Sequence, residues 1–341
     1  MKELHLLSSK EREIFFQEAS TELNIPFPII EKDFWVVWTL GRLFSLDELK
    51  AHLTFKGGTS LSKVYGLIER FSEDIDVSIE KDFLGFGTPE KDPDQAVSNK
   101  KQRAALENLS KACANYVQNE MATTLKASIA DELGTSDGWA LIPDEADPQA
   151  LIFEYPNITP RGDYIHQAVK IEMGARSEHW PVSLHQIESL TKQGLKDKVI
   201  ETKYTIRVLN AERTFWEKAT LLHQYAHLPE DKKLPARISR HLYDFYQLLN
   251  SSVKAKALGD LRLLDRVANH KKIYFASAWA SYDTAKKGTL KLSPSNRLLS
   301  DLKKDYDLMA TMFYGDSRPE WEVILKTIAD FEHEFNNGGH K

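Results

Sequence analysis

The sequence predicts an α+β protein in which a lobe built around a sheet precedes a mainly helical lobe. Two observations support this fold class. Short alternating or β-branched apolar segments, typical of strands, recur up to residue 209, and helical spacing dominates beyond that point. We therefore expect a first domain over 1–204 and a second over 205–341, with a cleft between them as the natural site.

The composition is that of a globular protein and excludes several classes. The 341 residues are 42% hydrophobic and carry a formal net charge of −5, so any contact with nucleic acid must come from a local basic patch. The single cysteine, Cys113, excludes an intrachain disulfide and a thiolate metal cluster. The N-terminus does not resemble a signal peptide, and no apolar run is long enough to span a bilayer. We therefore expect a soluble, cytoplasmic protein.

The first predicted elements are two helices within residues 8–48. Pro26 and Pro28 lie in the stretch that separates them, because proline disfavours a continuous helix. Ser8 or Ser9 is the expected N-cap of the first helix.

A strand over 54–56 is expected next, and it runs directly into Gly57 and Gly58. Two glycines between a strand and a helix expose backbone N–H groups and allow a phosphate to approach closely. The hydroxyls that follow can add donors; they belong to Thr59, Ser60 and Ser62. A tight turn with a hydroxyl cap explains the same residues equally well, and the segment alone favours that simpler interpretation.

Helical spacing is predicted from Ser60 to the next strand. The apolar positions that support it are Leu61, Val64 or Tyr65, Ile68 and Phe71. We therefore expect an amphipathic helix between the glycine turn and that strand.

Two aspartates are expected to share one face of the next strand. Ile75, Val77 and Ile79 alternate with Asp74 and Asp76, so the apolar side chains should pack inward and both carboxylates should point the other way. Carboxylates at this spacing can converge on one or two hard divalent cations. A solvated acidic strand face is the common alternative for such a pair. The combination with the glycine turn favours a metal site.

Further elements follow the same rules. Residues 97–132 predict a long helix that ends near Gly134. The predicted strands after it are Trp139–Ile142, Leu151–Tyr155, Ala168–Met173 and Lys203–Leu209. In the third of these, Glu172 lies on the polar face, where it is either a third metal-site carboxylate or a charge at a sheet edge.

Lys218 is the most informative residue of the helical lobe. It shares a predicted helix face with Phe215, Leu222 and Tyr225, so its side chain should be largely buried. A buried lysine is rare without a partner, and a triphosphate is one such partner. The alternative is a lysine whose stem packs while its amine reaches solvent.

A later helix brings Arg240, His241 and Asp244 to one side, with Arg237 just before it. An Arg240–Asp244 ion pair is the structural interpretation. Arg237 and Arg240 are also candidates for contacts with the phosphates of an acceptor or a nucleotide.

The segment FKGGTSLSKVYGLIERFSEDIDVSI closely resembles the AbiEii/AbiGii family of toxin nucleotidyltransferases, within the polymerase-β-like superfamily. TFWEKATLLH and RISRHLYDFY are similar to the later motifs of that family, and EKDFW at 31–35 is similar to its N-terminal pattern, which we interpret as structural. The resemblance implies a mixed sheet and transfer of a nucleoside monophosphate from an NTP.

The resemblance also implies roles for individual residues. Metal (Mg²⁺ or Mn²⁺) is expected at Asp74, Asp76 and Glu172, and Asp244 is expected to be functional, either orienting Lys218 or assisting as a base. The residues expected to bind the NTP are Gly57, Gly58, Thr59, Ser60, Lys63 and Lys218.

At the level of the whole protein, the resemblance implies a toxin of a type IV toxin–antitoxin or phage abortive-infection pair, with an antitoxin encoded nearby. The expected acceptor is the 3′ end of tRNA, with Arg237 and Arg240 binding it. Two alternatives remain open, a nucleotidyltransferase that acts on a protein or small molecule and a non-catalytic binding module.

Overall fold

The computed structural model describes residues 3–158, 167–314 and 318–338. The chain forms two compact units. The sheet unit comprises Met1–Val64 and Phe71–Leu209, and the helical unit comprises Tyr65–Arg70 and Asn210–Lys341. The α+β fold class is confirmed. The domains 1–204 and 205–341 and the cleft between them stay predictions.

Among the described residues, seven strands form one mixed sheet in the order β3-β4-β5-β2-β1-β7-β6. Its strands are β1 (Leu53–Lys56), β2 (Ile75–Ile79), β3 (Ala140–Pro143), β4 (Ala150–Glu154), β5 (Val169–Gly174), β6 (Val182–Ile187) and β7 (Tyr204–Leu209). The central strand β2 pairs antiparallel with β1 and parallel with β5. The strands expected from alternation are all present, and β6 is an edge strand that the sequence did not reveal.

Burial follows the alternation predicted for β2 except at Ser78, which is also buried and donates to the carbonyl of Gly174. Ile75, Val77 and Ile79 are buried, whereas Asp76 remains partly exposed. β5 alternates in the same way, with Val169, Ile171 and Met173 buried between partly exposed residues. Because each apolar face is buried, a shift of one residue in register would expose it, which fixes the pairing.

The sheet unit also contains six α-helices within its described residues. They are α1 (Ser9–Leu23), α2 (Phe27–Leu43), α3 (Gly57–Lys63), α4 (Asn99–Tyr116), α5 (Ala122–Leu133) and α6 (Leu190–Leu195). The predicted N-cap of α1 is confirmed, because Ser8 and Glu11 form a reciprocal capping box. A π-helical turn at Val117–Met121 joins α4 to α5, and Gly134 ends α5 in the left-handed conformation.

The prediction of one amphipathic helix from Ser60 to Phe71 is wrong. The helix begins earlier, at Gly57, and ends at Lys63. Gly66 has a φ of 58°, in the left-handed region, which an α-helix cannot contain. Ile68 and Phe71 are nevertheless buried, so their spacing reflected burial rather than a helix. The segment Tyr65–Arg70 clusters with the helical unit.

The helical unit has its own apolar core. Its α-helices are α7 (Ala211–Ala226), α8 (Ser239–Leu249), α9 (Val253–Gly259), α10 (Arg262–Tyr274), α11 (Leu299–Leu308) and α12 (Trp321–Asn337). Phe215 of α7, Phe245 of α8 and Phe331 of α12 form an aromatic cluster with ring centroids 4.9–5.8 Å apart. Within the described part of the chain, none of the helices combines the length and apolar character needed to cross a bilayer.

Candidate active site

The glycine turn places backbone directly against Asp76. Gly57 has a φ of 78°, and a Cβ atom added to it would lie 2.0 Å from Oδ2 of Asp76. Both the conformation and the close approach therefore require glycine at this position. The turn that the sequence indicated thus brings Gly57 and the second aspartate into contact.

Two of the three hydroxyls that follow the glycines, those of Thr59 and Ser60, form hydrogen bonds within the protein. Thr59 is buried, and its hydroxyl donates to the backbone carbonyl of Asp74. Ser60 is fully buried and donates to the carbonyl of Gly57 at 2.9 Å. These two side chains stabilise the turn and join it to the segment that carries Asp74.

Lys63 is the last residue of α3, and its side chain is only 5% exposed. Its ammonium group forms an ion pair with the carboxylate of Asp33, which is fully buried in α2. In this arrangement the charge of Lys63 is directed into the protein. Its expected contact with a nucleotide phosphate stays a prediction.

The acidic trio consists of Asp74, Asp76 and Glu172. Asp76 and Glu172 lie on the adjacent strands β2 and β5, and Asp74 lies directly before β2. The register of β2 and β5 makes Asp76 and Glu172 Cα partners, and Asp74 is the residue before β2. Burial raises the pKa of Glu172, and the negative charges of Asp76 and Asp74 raise it further, although Lys170 opposes them. The charges of Asp76 and Asp74 thus act on Glu172, and a metal site shared by the three carboxylates stays a prediction.

The chemistry of the acidic trio fits a hard divalent cation, because all of its donors are carboxylate oxygens. Lys170 Nζ lies 3.0 Å from Glu172 Oε1, and Lys56 Nζ lies 4.0 Å from Asp76 Oδ1. These lysines balance part of the negative charge. Within the described residues, the group whose ligand atoms all lie within 4.8 Å is instead Glu3, His5 and Glu132. The carboxylates of the trio would therefore have to approach one another to share an ion.

The helical unit contains a second charged cluster, centred on Asp244 of α8. The carboxylate of Asp244 is fully buried and accepts two hydrogen bonds from Arg70, at 2.8 and 2.9 Å. Lys218 of α7 donates to it at 2.7 Å and lies 2.9 Å from Nδ1 of His241. Lys218 is 8% exposed, which confirms the burial predicted from helical spacing.

The protonation states of this cluster follow from its charges. Burial raises the pKa of Asp244, but Arg70 and Lys218 lower it more strongly, so the pKa lies well below its ordinary value. Burial and the charge of Lys218 lower the pKa of His241, so the imidazole is neutral and accepts from Lys218. A carboxylate held by two cations is a weak base, and the geometry favours the orienting role of Asp244.

Arg70 is the residue of this cluster that sequence reasoning missed. It lies 174 residues before its partner, in an irregular segment whose local pattern gave no signal of the pairing. The carboxylate of Asp244 is bonded to Arg70 and Lys218, and the expected Arg240–Asp244 pair stays a prediction. Arg240 acts on the cluster electrostatically, because its charge lowers the pKa values of Lys218 and His241.

Arg237 lies on the surface just before α8. It has a φ of 64°, and its backbone N–H donates to the carboxylate of Asp305 at 2.7 Å. Asp305, on α11, also accepts from the backbone N–H and the hydroxyl of Ser239 at 2.8 and 2.6 Å. The exposed Arg237 and the partly exposed Arg240 thus lie at the start of α8, which Asp305 of α11 stabilises through hydrogen bonds.

Comparison with known proteins gives one family and one solved structure of interest. MenT4, a nucleotidyltransferase toxin from Mycobacterium tuberculosis H37Rv, is similar over 96% of this chain and 95% of its own, at 15% identity and a TM-score of 0.46. No curated protein matches the chain significantly. Residues 38–331 match the family described as "Nucleotidyl transferase AbiEii toxin, Type IV TA system". Since this match covers most of the chain, the protein belongs to the AbiEii family of nucleotidyltransferase toxins of type IV toxin–antitoxin systems.

Proposed function

We propose that this nucleotidyltransferase is metal-dependent and transfers a nucleoside monophosphate from an NTP to the 3′ end of tRNA. The acceptor hydroxyl attacks the α-phosphorus, the bond to the β-phosphate breaks, and pyrophosphate leaves. Mg²⁺ or Mn²⁺ at Asp74, Asp76 and Glu172 would supply positive charge to the reacting phosphate and acidify the hydroxyl.

The pairing of Asp76 with Glu172 across β2 and β5 is the observation that carries this proposal. Asp74, the residue before β2, would add a third carboxylate at the point where Gly57 brings bare backbone against Asp76. Glu172, the Cα partner of Asp76, would help to hold the metal, and one of the three carboxylates would take the proton of the acceptor hydroxyl. Gly57 and Gly58 would contact the phosphates through backbone N–H groups, with Thr59 and Ser60 holding the turn.

The cluster around Asp244 supports the assignment of Lys218 to the triphosphate. Arg70 and Lys218 share one carboxylate, whose single negative charge does not neutralise both cations. Such a cluster attracts an anion, and positive charge stabilises a pyrophosphate leaving group. We assign Asp244 and Arg70 the task of orienting Lys218, and we do not include Lys63 because its ammonium is paired with Asp33.

The acceptor and the biological role rest on the family. We propose that Arg237 and Arg240 bind phosphates of the tRNA acceptor stem, since a protein with a net charge of −5 must contact RNA through local cations. We further propose that an antitoxin encoded nearby restrains the enzyme, and that the pair acts in abortive infection of phage.

A labelling assay tests the reaction and the acceptor together. Purified protein is incubated with each α-³²P-labelled NTP, Mg²⁺ or Mn²⁺, total RNA and protein extract. We expect label on RNA of tRNA size, and none with Asp76→Asn. Asp47→Asn is the matched control, because Asp47 is an exposed aspartate of the same unit.

Each result of this assay has a defined meaning. Label that appears only on protein would replace tRNA by a protein acceptor. Undiminished labelling by Asp76→Asn, with Asp47→Asn also active, would exclude the proposed metal site. Absence of growth inhibition on expression of the wild-type protein would contradict the toxin role.

A further inference from the structure

We propose that Lys32 and Asp33, adjacent residues of α2, are positioning residues. They hold the two segments that carry the proposed metal-binding and phosphate-binding residues, and this inference rests on the proposed function. The starting observation is three consecutive charged residues that are all buried. Glu31, Lys32 and Asp33 are 1%, 2% and 0% exposed. Charged residues are almost never this buried unless they are paired.

Lys32 holds the segment that carries the first aspartate. Its ammonium donates to Oε2 of Glu73 at 2.6 Å, and Glu73 directly precedes Asp74. The backbone carbonyl of Asp74 accepts from Thr59. Both Glu73 and Asp74 lie before the start of β2, so side chains rather than the sheet ladder fix this stretch from two sides.

Asp33 holds the end of the glycine-turn helix. Its carboxylate pairs with Lys63 and also accepts from the backbone N–H of Leu190 at 2.7 Å. Because α3 runs only from Gly57 to Lys63, fixing its last residue restricts the turn at its first. The two neighbouring residues of α2 thus act on both segments of the proposed site.

Stability alone does not account for these pairs. Burying two opposite charges removes both from water, and well-packed apolar residues often stabilise a fold as well or better. What the pairs do supply is a defined geometry for the groups that they contact. Replacing residues that contact the metal ligands, but not the metal itself, typically lowers metal affinity by about 10–100-fold.

Binding of Mn²⁺ alone, followed by electron paramagnetic resonance on the full-length protein, tests this inference without relying on activity. The variant is Lys32→Met with Glu73→Gln, which removes one positive and one negative charge and leaves the net charge unchanged. We expect Mn²⁺ to bind about tenfold more weakly at the sites that Asp76→Asn abolishes.

The matched control is Arg42→Met with Glu132→Gln. Arg42 lies in the last turn of the same helix and pairs with Glu132 at 2.5 Å, away from Glu73 and Lys63. This control should leave the Asp76-dependent Mn²⁺ binding unchanged. It also removes one ligand from the Glu3–His5–Glu132 group, so an ion bound there is recognised by its loss.

The outcomes separate the two proposals. If Asp76→Asn abolishes Mn²⁺ binding but the Lys32–Glu73 variant binds normally, the positioning role is overturned and the metal site stands. If Asp76→Asn binds Mn²⁺ as the wild type does, the metal site itself fails. If the double variant does not fold, Glu73→Asp replaces it, because this change keeps the negative charge but shortens the side chain that reaches Lys32. Glu132→Asp is its control. Normal Mn²⁺ binding by folded Glu73→Asp would also overturn the positioning role.

Discussion

Gly57 combines two requirements that can be separated by mutation. In Gly57→Ala the new methyl group would meet Asp76, and the positive φ adds backbone strain of about 1–2 kcal/mol. We expect a loss of transfer activity of at least about 100-fold, since a displacement of about 1 Å at a reacting group has an effect of that size. The labelling assay measures the loss of transfer activity, and urea unfolding measures the loss of stability.

Gly85→Ala is the control for backbone strain. Gly85 has a φ of 82°, and an added Cβ would have nothing within 4 Å. This variant should lose a similar amount of stability and keep its activity. Equal activity in Gly57→Ala and Gly85→Ala would show that the contact with Asp76 has no part in the reaction.

Asp244 should make a large, pH-dependent contribution to stability. Replacement by Asn leaves Arg70 and Lys218 buried beside a neutral group, and we expect a cost of about 3–5 kcal/mol in the free energy of unfolding. The folded pKa is depressed, so the contribution is fully present above the unfolded value of about 3.9 and is lost as the pH falls below it.

Urea unfolding of the wild type and of Asp244→Asn between pH 3 and pH 7 measures this dependence. The difference between the two proteins should be largest at pH 7 and should shrink at the acid end. Asp260→Asn removes an exposed ion pair with Arg262 and should show a small effect throughout. A difference that stays constant across the whole range would contradict the ionised state of Asp244.

At the scale of elements, the start of α8 depends on a cap from α11. Asp305 accepts three hydrogen bonds there, two from backbone N–H groups and one from the hydroxyl of Ser239. Asp305→Ala should destabilise the protein by about 1–2 kcal/mol, the range measured for loss of a helix cap. Asp301→Ala, which removes an exposed acidic residue from the first turn of α11, should have a smaller effect on the urea midpoint, corresponding to about 0.3–1 kcal/mol. Equal midpoints for both variants would show that the cap is dispensable.

The elements that the sequence predicted correctly are those whose signal is local. The apolar positions of β2 and β5 are buried as their alternation predicted, and Ser8 is the N-cap of α1, one of the two serines expected there. The helix expected to reach Phe71 failed because apolar spacing reports burial, whereas Gly66 in the left-handed conformation interrupts the backbone. β6 was not predicted because its apolar alternation covers only Val182 to His185 before Gln186 interrupts it.

At the scale of the whole molecule, the candidate functional residues also divide into those that a local sequence pattern indicates and those that only the fold reveals. The use of the acidic trio as a metal site stays a prediction, but the polar strand faces on which Asp76 and Glu172 lie were predictable from periodicity. The partners of the buried charges were not, because Arg70 reaches Asp244 across 174 residues and Lys32 reaches Glu73 across 41. Local patterns thus indicate which charges are buried, and only the fold determines what neutralises them.

Cys113 is the single cysteine, which makes it a specific reporter on the fold of the sheet unit. Its side chain is fully buried, its thiol lies 3.5 Å from the carbonyl of Met173 in β5, and burial raises its pKa to about 12. Thiol reagents react with the thiolate, so at pH 8 we expect the native protein to react with a disulfide reagent only when this unit opens.

The reaction is followed by absorbance in buffer and in rising urea. Ser136→Cys provides the control, because residue 136 is exposed in the same unit and its thiol should react within seconds to minutes while Cys113 stays protected. The rate for Cys113 should rise with urea in parallel with unfolding. Rapid reaction of Cys113 in the folded protein would contradict the packing of α4 against β5. Because the position of Glu172 depends on this packing, the result would also count against the proposed acidic trio.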